Sequence, residues 1–96
     1  MSYHLKKNVE DEIIAVARRC GIERVLLFGS RARGDNQERS DIDLAISGGN
    51  TTDFILDIEE EVQTLLFFDV VNLDKPVQPE LLEAIEKDGV VLYEKV

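Results

Sequence analysis

Two aspartates in the middle of the chain are spaced to hold a divalent metal ion. Asp41 and Asp43 alternate with Ile42 and Leu44 at the period of a β-strand, so both carboxylates are expected on one face. Like charges roughly 6.6 Å apart repel there, and aspartate is a poor strand former. Mg²⁺ removes this conflict, because it prefers carboxylate oxygens and completes its coordination with water and substrate phosphates. The spacing predicts a metal that holds nucleotide phosphates; a solvated acidic edge strand is the alternative for an isolated pair.

A glycine–serine turn precedes this pair and has the character of a phosphate-binding turn. The apolar run over residues 25–28 predicts a strand, and Gly29 lets the backbone turn sharply after it without a Cβ clash. Ser30 stands where a short helix could begin, and its hydroxyl and the free N–H groups of that turn would donate to an anion. An ordinary turn is the alternative. The strand and the spacing to the aspartates favour phosphate binding.

Three arginines close to the turn stand out in an acidic chain, namely Arg31, Arg33 and Arg39. A guanidinium at this place would hold phosphate oxygens in bidentate fashion, whereas loop-solubilising charge is an equally good interpretation of each one. The residues that we predict to bind nucleotide are Gly29, Ser30, Arg31, Arg33 and Ser40.

A third carboxylate, Asp69, interrupts the apolar run over residues 67–73, whose aromatic and β-branched residues predict a strand. An unpaired buried aspartate is costly unless it is neutralised or meets a cation. If this strand lies beside the one with Asp41 and Asp43, three carboxylates converge, as a two-metal phosphoryl-transfer site requires. In the alternative interpretation, Asp69 caps a neighbouring backbone group or pairs with one of the arginines.

The composition predicts one small acidic domain over residues 1–96. The net charge of −9 and the pI near 4.5 argue against direct nucleic-acid binding, which needs a basic face, and hence against a template-directed polymerase. No apolar run approaches the roughly 20 residues that cross a bilayer, and the chain opens without a signal-peptide pattern. The single Cys20 cannot form an internal disulfide, which fits a reducing cytosol. We therefore expect a cytoplasmic protein without a membrane segment.

Hydrophobic periodicity and the start and stop signals predict three helices and four strands, and a further short helix could begin at Ser30. Asn8 is the expected N-cap of the first helix, and Gly21 its end. The second main helix begins at Thr51 or Thr52, and its apolar face runs to Leu65 and Leu66. The predicted order is helix 8–20, strand 24–28, a short helix from 30, strand 41–46, helix 51–66, strand 67–73, helix 79–88 and strand 90–93. This order is an α/β or α+β plan in which helices cover a small mixed β-sheet.

The combination of these motifs resembles the polymerase-β-type nucleotidyltransferase superfamily, specifically its minimal bacterial and archaeal members. The resemblance rests on Gly29-Ser30, ten intervening residues, Asp41-x-Asp43 and the later strand carboxylate Asp69. It implies the palm-like nucleotidyltransferase fold and transfer of a nucleotidyl group from Mg²⁺-bound nucleoside triphosphate, usually ATP, to a hydroxyl. Two Mg²⁺ ions are implied: Asp41 and Asp43 would bridge them, and Asp69 would hold the one that activates the acceptor oxygen. Gly29 and Ser30 would grip the outer phosphates.

The resemblance also implies a protein partner. In the minimal subfamily the nucleotidyltransferase is often the antitoxin of an HEPN-domain RNase toxin and modifies a toxin tyrosine with AMP. The acidic charge of the chain is compatible with docking onto a basic RNA-binding partner. Two alternatives stay open at this point: a non-catalytic antitoxin that acts by binding and occlusion, and a nucleotidyltransferase that modifies a small molecule such as an aminoglycoside.

Overall fold

The computed structural model describes residues 3–96, which form one mixed sheet with helices on both faces. The elements are α1 (Lys7–Arg19), β1 (Arg24–Phe28), α2 (Gly29–Arg33), β2 (Ile42–Ser47), α3 (Thr51–Glu61), β3 (Phe68–Asn72), α4 (Pro79–Asp88) and β4 (Val90–Glu94). The strand order is β3-β2-β1-β4, in which β1 pairs antiparallel with β2 and β4, and β2 pairs parallel with β3. The predicted α+β plan is confirmed, and none of the helices in this part of the chain is long and apolar enough to cross a membrane.

The two faces of the sheet bury apolar clusters of different size. The larger cluster packs α1 and α3 against the sheet; it includes Val9, Ile13, Val16, Leu27, Leu44, Ile46, Phe54 and Ile58. The smaller cluster lies against α4, where Leu26, Phe28 and Ala45 contact Ile85. Because side chains alternate between faces along a strand, Asp43 shares the α4 face with Ala45. The smaller cluster therefore leaves room for polar side chains at one end of the sheet.

The first helix begins earlier than the sequence suggests. We expected Asn8 to be its N-cap, and this is wrong: α1 starts at Lys7, with Lys6 at the cap position. The N–H of Glu10 donates to the carbonyl of Lys6 at 3.0 Å, so helical hydrogen bonding starts before Asn8 can cap it. The end of the helix agrees with the prediction, since Gly21 follows it with a φ of 68°.

The third helix ends earlier than predicted. It begins at Thr51 as expected, with the Asn50 side chain accepting from the N–H of Asp53 at 3.1 Å, but it stops at Glu61. The prediction that Leu65 and Leu66 continue its apolar face is therefore wrong. The chain must leave the helix because the carbonyl of Phe67 accepts from the N–H of Ile42, which brings an extended segment alongside β2. Apolar spacing alone could not indicate this constraint.

Candidate active site

The sheet topology brings the predicted site residues to one end of the sheet. Since β1 and β2 run antiparallel, the end of β1 lies beside the start of β2, and Phe28 is the register partner of Asp43. Since β2 and β3 run parallel, the start of β3 lies there too, and Asp43 is the register partner of Asp69. Neighbouring strands stand about 4.8 Å apart. The strand topology therefore brings the turn after β1 close to the carboxylates of Asp43 and Asp69.

The carboxylates differ in their surroundings. Asp43 is half-buried, whereas Asp69 is exposed on β3 and Asp41 is exposed one residue before β2. The expectation that Asp69 is buried is thus wrong, because β3 is an edge strand; the expectation that it lies beside the strand of Asp43 is confirmed. Asp43 and Asp69 point to the same face, since register partners share a face of the sheet.

Negative charge accumulates at Asp43. Burial, followed by the nearby charges of Asp69 and Asp41, raises the pKa of its carboxyl to about 6 against the opposing effect of Arg33 and Arg31. A carboxylate in this position is stabilised by a cation. A cation bound here would therefore favour the ionised form of Asp43 and lower its pKa.

The three carboxylates are suitable ligands for Mg²⁺, although their side chains do not surround a common point in this structure. Among residues 3–96, no three histidine, cysteine, aspartate or glutamate side chains are already grouped to hold a metal ion. Two of the three carboxylates here are exposed, so their side chains are free to turn toward a common centre. Such an open arrangement of oxygens matches Mg²⁺, which retains waters and substrate phosphates as ligands.

Gly29 is required by the position of Asp43. Its φ is 74°, a region that favours glycine, and a Cβ on it would collide with Oδ2 of Asp43 and stand 3.2 Å from its Cγ. The carboxylate thus lies directly against the backbone of the turn. Ser30 follows in the first turn of α2 and is partly exposed. The turn and the half-buried carboxylate form one unit, as the sequence predicted.

Arg31 has a structural role that sequence reasoning missed. The residue is 7% exposed, and its guanidinium donates to three backbone carbonyls: Ser40 at 3.0 Å, Glu38 at 3.0 Å and His4 at 3.2 Å. These bonds fix the loop over residues 35–40 that leads into Asp41. A nucleotide contact from Arg31 stays a prediction, and in this structure its donors serve the loop.

Arg33 and Ser40 also have protein partners. Arg33 donates to Asp35 at 3.0 Å and to Asp88 at 2.8 Å, which ties α2 to the end of α4. The Ser40 hydroxyl accepts from the N–H of Gln37 at 2.9 Å and closes a turn of the loop. The pairing with Asp88 was missed because the sequence only marks that residue as the end of a helix. Nucleotide binding by Arg33 and Ser40 stays a prediction.

The comparison with protein families decides which family this fold belongs to. The family model described as Polymerase beta, Nucleotidyltransferase matches residues 11–96, which include the turn and all three carboxylates. The chain belongs to this family. The resemblance inferred from the motifs is thereby confirmed, and the domain is a nucleotidyltransferase.

Individual relatives agree with this assignment. A Methanocaldococcus jannaschii protein named as a candidate protein adenylyltransferase is 49% identical over 37 residues; the match covers 38% of this chain and only 37% of that protein. A solved structure described as a minimal nucleotidyltransferase is 28% identical, with a TM-score of 0.64, and the match covers 84% of this chain and 86% of the other. A chain of a toxin–antitoxin complex solved with AMP-PNP has the same fold, with a TM-score of 0.71 at 21% identity, over 90% of this chain and 73% of the other.

Proposed function

We propose that this nucleotidyltransferase transfers AMP from Mg²⁺-bound ATP to a tyrosine hydroxyl of a cognate HEPN-domain RNase toxin and so acts as its antitoxin. The observation that supports this proposal best is the juxtaposition of Asp43 with Asp69 on one side and with the Gly29 turn on the other. A polar pair at the end of an apolar sheet, packed against a glycine that no other residue can replace without a clash, is the arrangement expected of a phosphoryl-transfer site.

The roles of the chain's own residues follow from their positions. Asp41, Asp43 and Asp69 would hold Mg²⁺, which when bound supplies positive charge for the triphosphate and for the attacking oxygen. Gly29 and Ser30 would receive the outer phosphates, because the backbone approaches Asp43 closely there. Asp69, exposed on the edge strand, would face the acceptor. Its carboxylate would orient the hydroxyl and accept its proton as the oxygen forms a bond to the α-phosphorus. The bond between the α-phosphorus and the leaving pyrophosphate breaks in the same step.

The nature of the acceptor is inferred from the relatives and from charge. One relative is named as a candidate protein adenylyltransferase and one similar structure is a toxin–antitoxin complex. The net charge of −9 would steer the chain toward a basic partner, and an RNase toxin must have a basic face to bind RNA. We therefore propose that the acceptor hydroxyl belongs to the toxin.

Occlusion without catalysis is the second candidate, because exposed apolar residues show that the chain has a surface suited to binding. Leu65 and Phe67 are 101% and 79% exposed, which is unusual for large apolar side chains. Such a surface would serve binding whether or not AMP is transferred. The two candidates differ in the need for Asp41 and Asp43, which pure occlusion would not use.

An experiment with labelled ATP separates the two. Wild-type protein, Mg²⁺ and ATP labelled in the α-phosphate should leave the purified toxin one or more AMP units heavier, and the label should persist after separation. The double variant Asp41→Ala, Asp43→Ala should bind the toxin without labelling it and should fail to protect cells. Asp11→Ala with Glu83→Ala, which removes two exposed carboxylates elsewhere, is the matched control and should behave as wild type. Full protection by the first variant would support occlusion and contradict the transfer mechanism.

A further inference from the structure

The strand β3 forms one edge of the sheet and has β2 on only one side in the described part of the chain. The N–H of Ile42 donates to the carbonyl of Phe67 at 2.9 Å, and the N–H of Leu73 donates to the carbonyl of Ile46 at 2.8 Å. Residues 67 and 73 thus turn their backbone groups toward β2. In a parallel ladder, backbone groups alternate between the two sides of a strand, so residues 69 and 71 face β2 as well.

The backbone groups of Phe68, Val70 and Asn72 consequently face away from β2. Within residues 3–96, no hydrogen bond outside the sheet engages the N–H or the carbonyl of Phe68 or Val70. The carbonyl of Asn72 accepts from the N–H of Lys75 at 3.2 Å, which closes the edge at that end. An edge with open donors and acceptors at alternate residues is a template for one added strand.

Large apolar side chains are exposed where this edge begins. Leu65 is 101% exposed and Phe67 is 79% exposed, although both belong to types that are usually buried. They border a groove of about 420 Å³ whose other lining residues are Glu59, Val62, Thr64, Leu66 and Phe68. An apolar side chain of an added strand could bury itself in this groove, which would release water from both partners.

The open edge is continuous with the carboxylates. Asp69 is the second residue of β3 and the register partner of Asp43. Two residues earlier, just before each strand begins, the same register places Phe67 beside Asp41. Phe67 and Asp69 lie two residues apart and so share the face of Asp43. A strand added to β3 would therefore run past the site, with alternate side chains on the face where the transfer takes place.

We propose that this surface, the β3 edge, binds an extended basic segment of the partner as an added strand and that this segment contains the acceptor hydroxyl. The β3 edge is defined by the side chains of Leu65 and Phe67, the outward N–H and carbonyl groups of Phe68 and Val70, and the outward N–H of Asn72. The identity of the acceptor rests on the proposed function; the docking mode rests on the open backbone.

Charge determines which occupant fits the β3 edge. Glu59 lies at the groove, Asp69 lies within the strand and Asp74 lies just beyond it, in a molecule with a net charge of −9. A second copy of this chain would add another −9 and bring two Asp69 carboxylates close together, which costs free energy. A segment with several lysines or arginines complements these carboxylates instead.

A binding experiment with short peptides tests the docking mode without any need for catalysis. The probes are three heptapeptides with blocked ends, each made of a central tyrosine, three valines and three variable residues. Arginine, glutamine or glutamate at the three variable positions gives net charges of +3, 0 and −3. We expect the +3 peptide to bind best and to shift the NMR signals of the Phe68, Val70 and Asn72 amides. N-methylation of the alternate peptide residues whose N–H groups face β3 should weaken binding about tenfold. N-methylation of the residues between them should change binding little. Equal binding of the +3 and −3 peptides, or unshifted edge amides, would overturn the proposal.

A matched pair of variants tests the same contact from the protein side. Val70→Pro removes one outward N–H but preserves the bonds to β2, because proline is tolerated at an edge position whose N–H faces away from the sheet. Val70→Ala loses side-chain packing but keeps the N–H. We expect about tenfold weaker peptide binding for the proline variant relative to the alanine variant. Equal affinities would contradict the proposal, and if the proline variant does not fold, the N-methylated peptides decide the question.

The docking mode and the proposed function fail separately. If the +3 peptide binds at the β3 edge but Mg²⁺-ATP never labels its tyrosine or the toxin, the docking mode holds and the proposed transfer is wrong. If the toxin is labelled equally by wild type and by the folded Val70→Pro variant, the transfer holds and the β3 edge is not the docking site. Sedimentation of the free protein as a dimer that Val70→Pro dissociates would assign the edge to a second copy and overturn the proposal.

Discussion

The contact between Gly29 and Asp43 links backbone geometry to chemistry at a single position. Gly29 is one of several glycines with positive φ among the described residues, and the space that a Cβ would fill on it is occupied by a carboxylate oxygen of Asp43. A side chain at this position would move Asp43 away from the turn. Residue 29 is therefore constrained twice, by its conformation and by its neighbour.

Gly29→Ala should abolish nucleotide binding, whereas Gly21→Ala should only reduce stability. Both glycines have positive φ, at 74° and 68°, so each substitution should lower the free energy of unfolding by about 1–2 kcal/mol. Only at Gly29 would the new Cβ collide with Asp43; at Gly21 it would meet open space among the described residues. Calorimetric titration with Mg²⁺-ATP together with urea denaturation would measure both effects. Wild-type affinity in a folded Gly29→Ala variant would show that the close contact is dispensable.

The ionisation of Asp43 should make the metal-free protein less stable as the pH rises. Its pKa is raised to about 6 by burial and by Asp69 and Asp41, so the folded state holds this proton more tightly than the unfolded chain does. The free energy of unfolding should therefore fall between about pH 4 and pH 6. Urea denaturation across this range should show a shallower decline for Asp43→Asn than for wild type, with Asp11→Asn as an exposed control. A carboxyl signal of Asp43 that titrates near pH 4 in NMR would contradict this expectation.

At the scale of elements, α2 and the following loop form a support for the start of β2. Arg31 is buried and binds three carbonyls of residues 4, 38 and 40, and Arg33 joins α2 to Asp88 at the end of α4. The approach of the chain to Asp41 is thus set by guanidinium groups that the sequence suggested for phosphate. Their number in this segment reflects the need to fix a loop without regular structure.

Replacement of Arg31 should destabilise the fold more than replacement of Arg39. Arg31→Met leaves three partly buried carbonyl groups without their guanidinium donor, which should lower the free energy of unfolding by about 1–3 kcal/mol. Arg39→Met, in an exposed residue of the same loop, should change it by less than about 0.5 kcal/mol. Urea denaturation of both variants tests this difference. If the two variants were equally stable and Arg31→Met had lost its affinity for ATP, Arg31 would instead be assigned a role in nucleotide binding.

The sequence predicted elements better than their contacts. Apolar spacing located the four strands and the three longer helices of the described chain, and the Gly-Ser turn indicated where α2 could begin. The Gly-Ser turn and the Asp-x-Asp spacing also indicated the candidate site, whose residues the topology brings to one end of the sheet. The end of α3 was missed because it depends on the pairing of residue 67 with β2. The exposure of Asp69 was missed because strand order is a property of the whole sheet, and an apolar run fits an edge or a centre equally well. Local patterns determine the elements, and long-range register determines which side chains are exposed.

At the scale of the whole molecule, excess negative charge couples stability to ligand binding. A net charge of −9 on 96 residues opposes compaction, and three of the carboxylates lie at one end of the sheet. A ligand that brings Mg²⁺ to this end relieves repulsion only in the folded state, because the unfolded chain does not hold the three residues together. Binding there should consequently appear as added resistance of the entire fold to heat.

Mg²⁺-ATP should raise the melting temperature of the wild-type protein, and ATP with a chelator should not. At a free ligand concentration of 100 times Kd, linkage adds about 2.7 kcal/mol of stability, which for a domain of this size corresponds to roughly 10–20 °C in Tm. The double variant Asp41→Ala, Asp43→Ala should start from an equal or higher Tm without ligand, because it has lost two repelling charges, and should show no ligand-dependent rise. Differential scanning calorimetry of both proteins without ligand, with Mg²⁺-ATP, and with ATP and EDTA gives the six required curves. A rise of equal size with EDTA would mean that the nucleotide binds without the carboxylates, and the site would have to be sought elsewhere on the molecule.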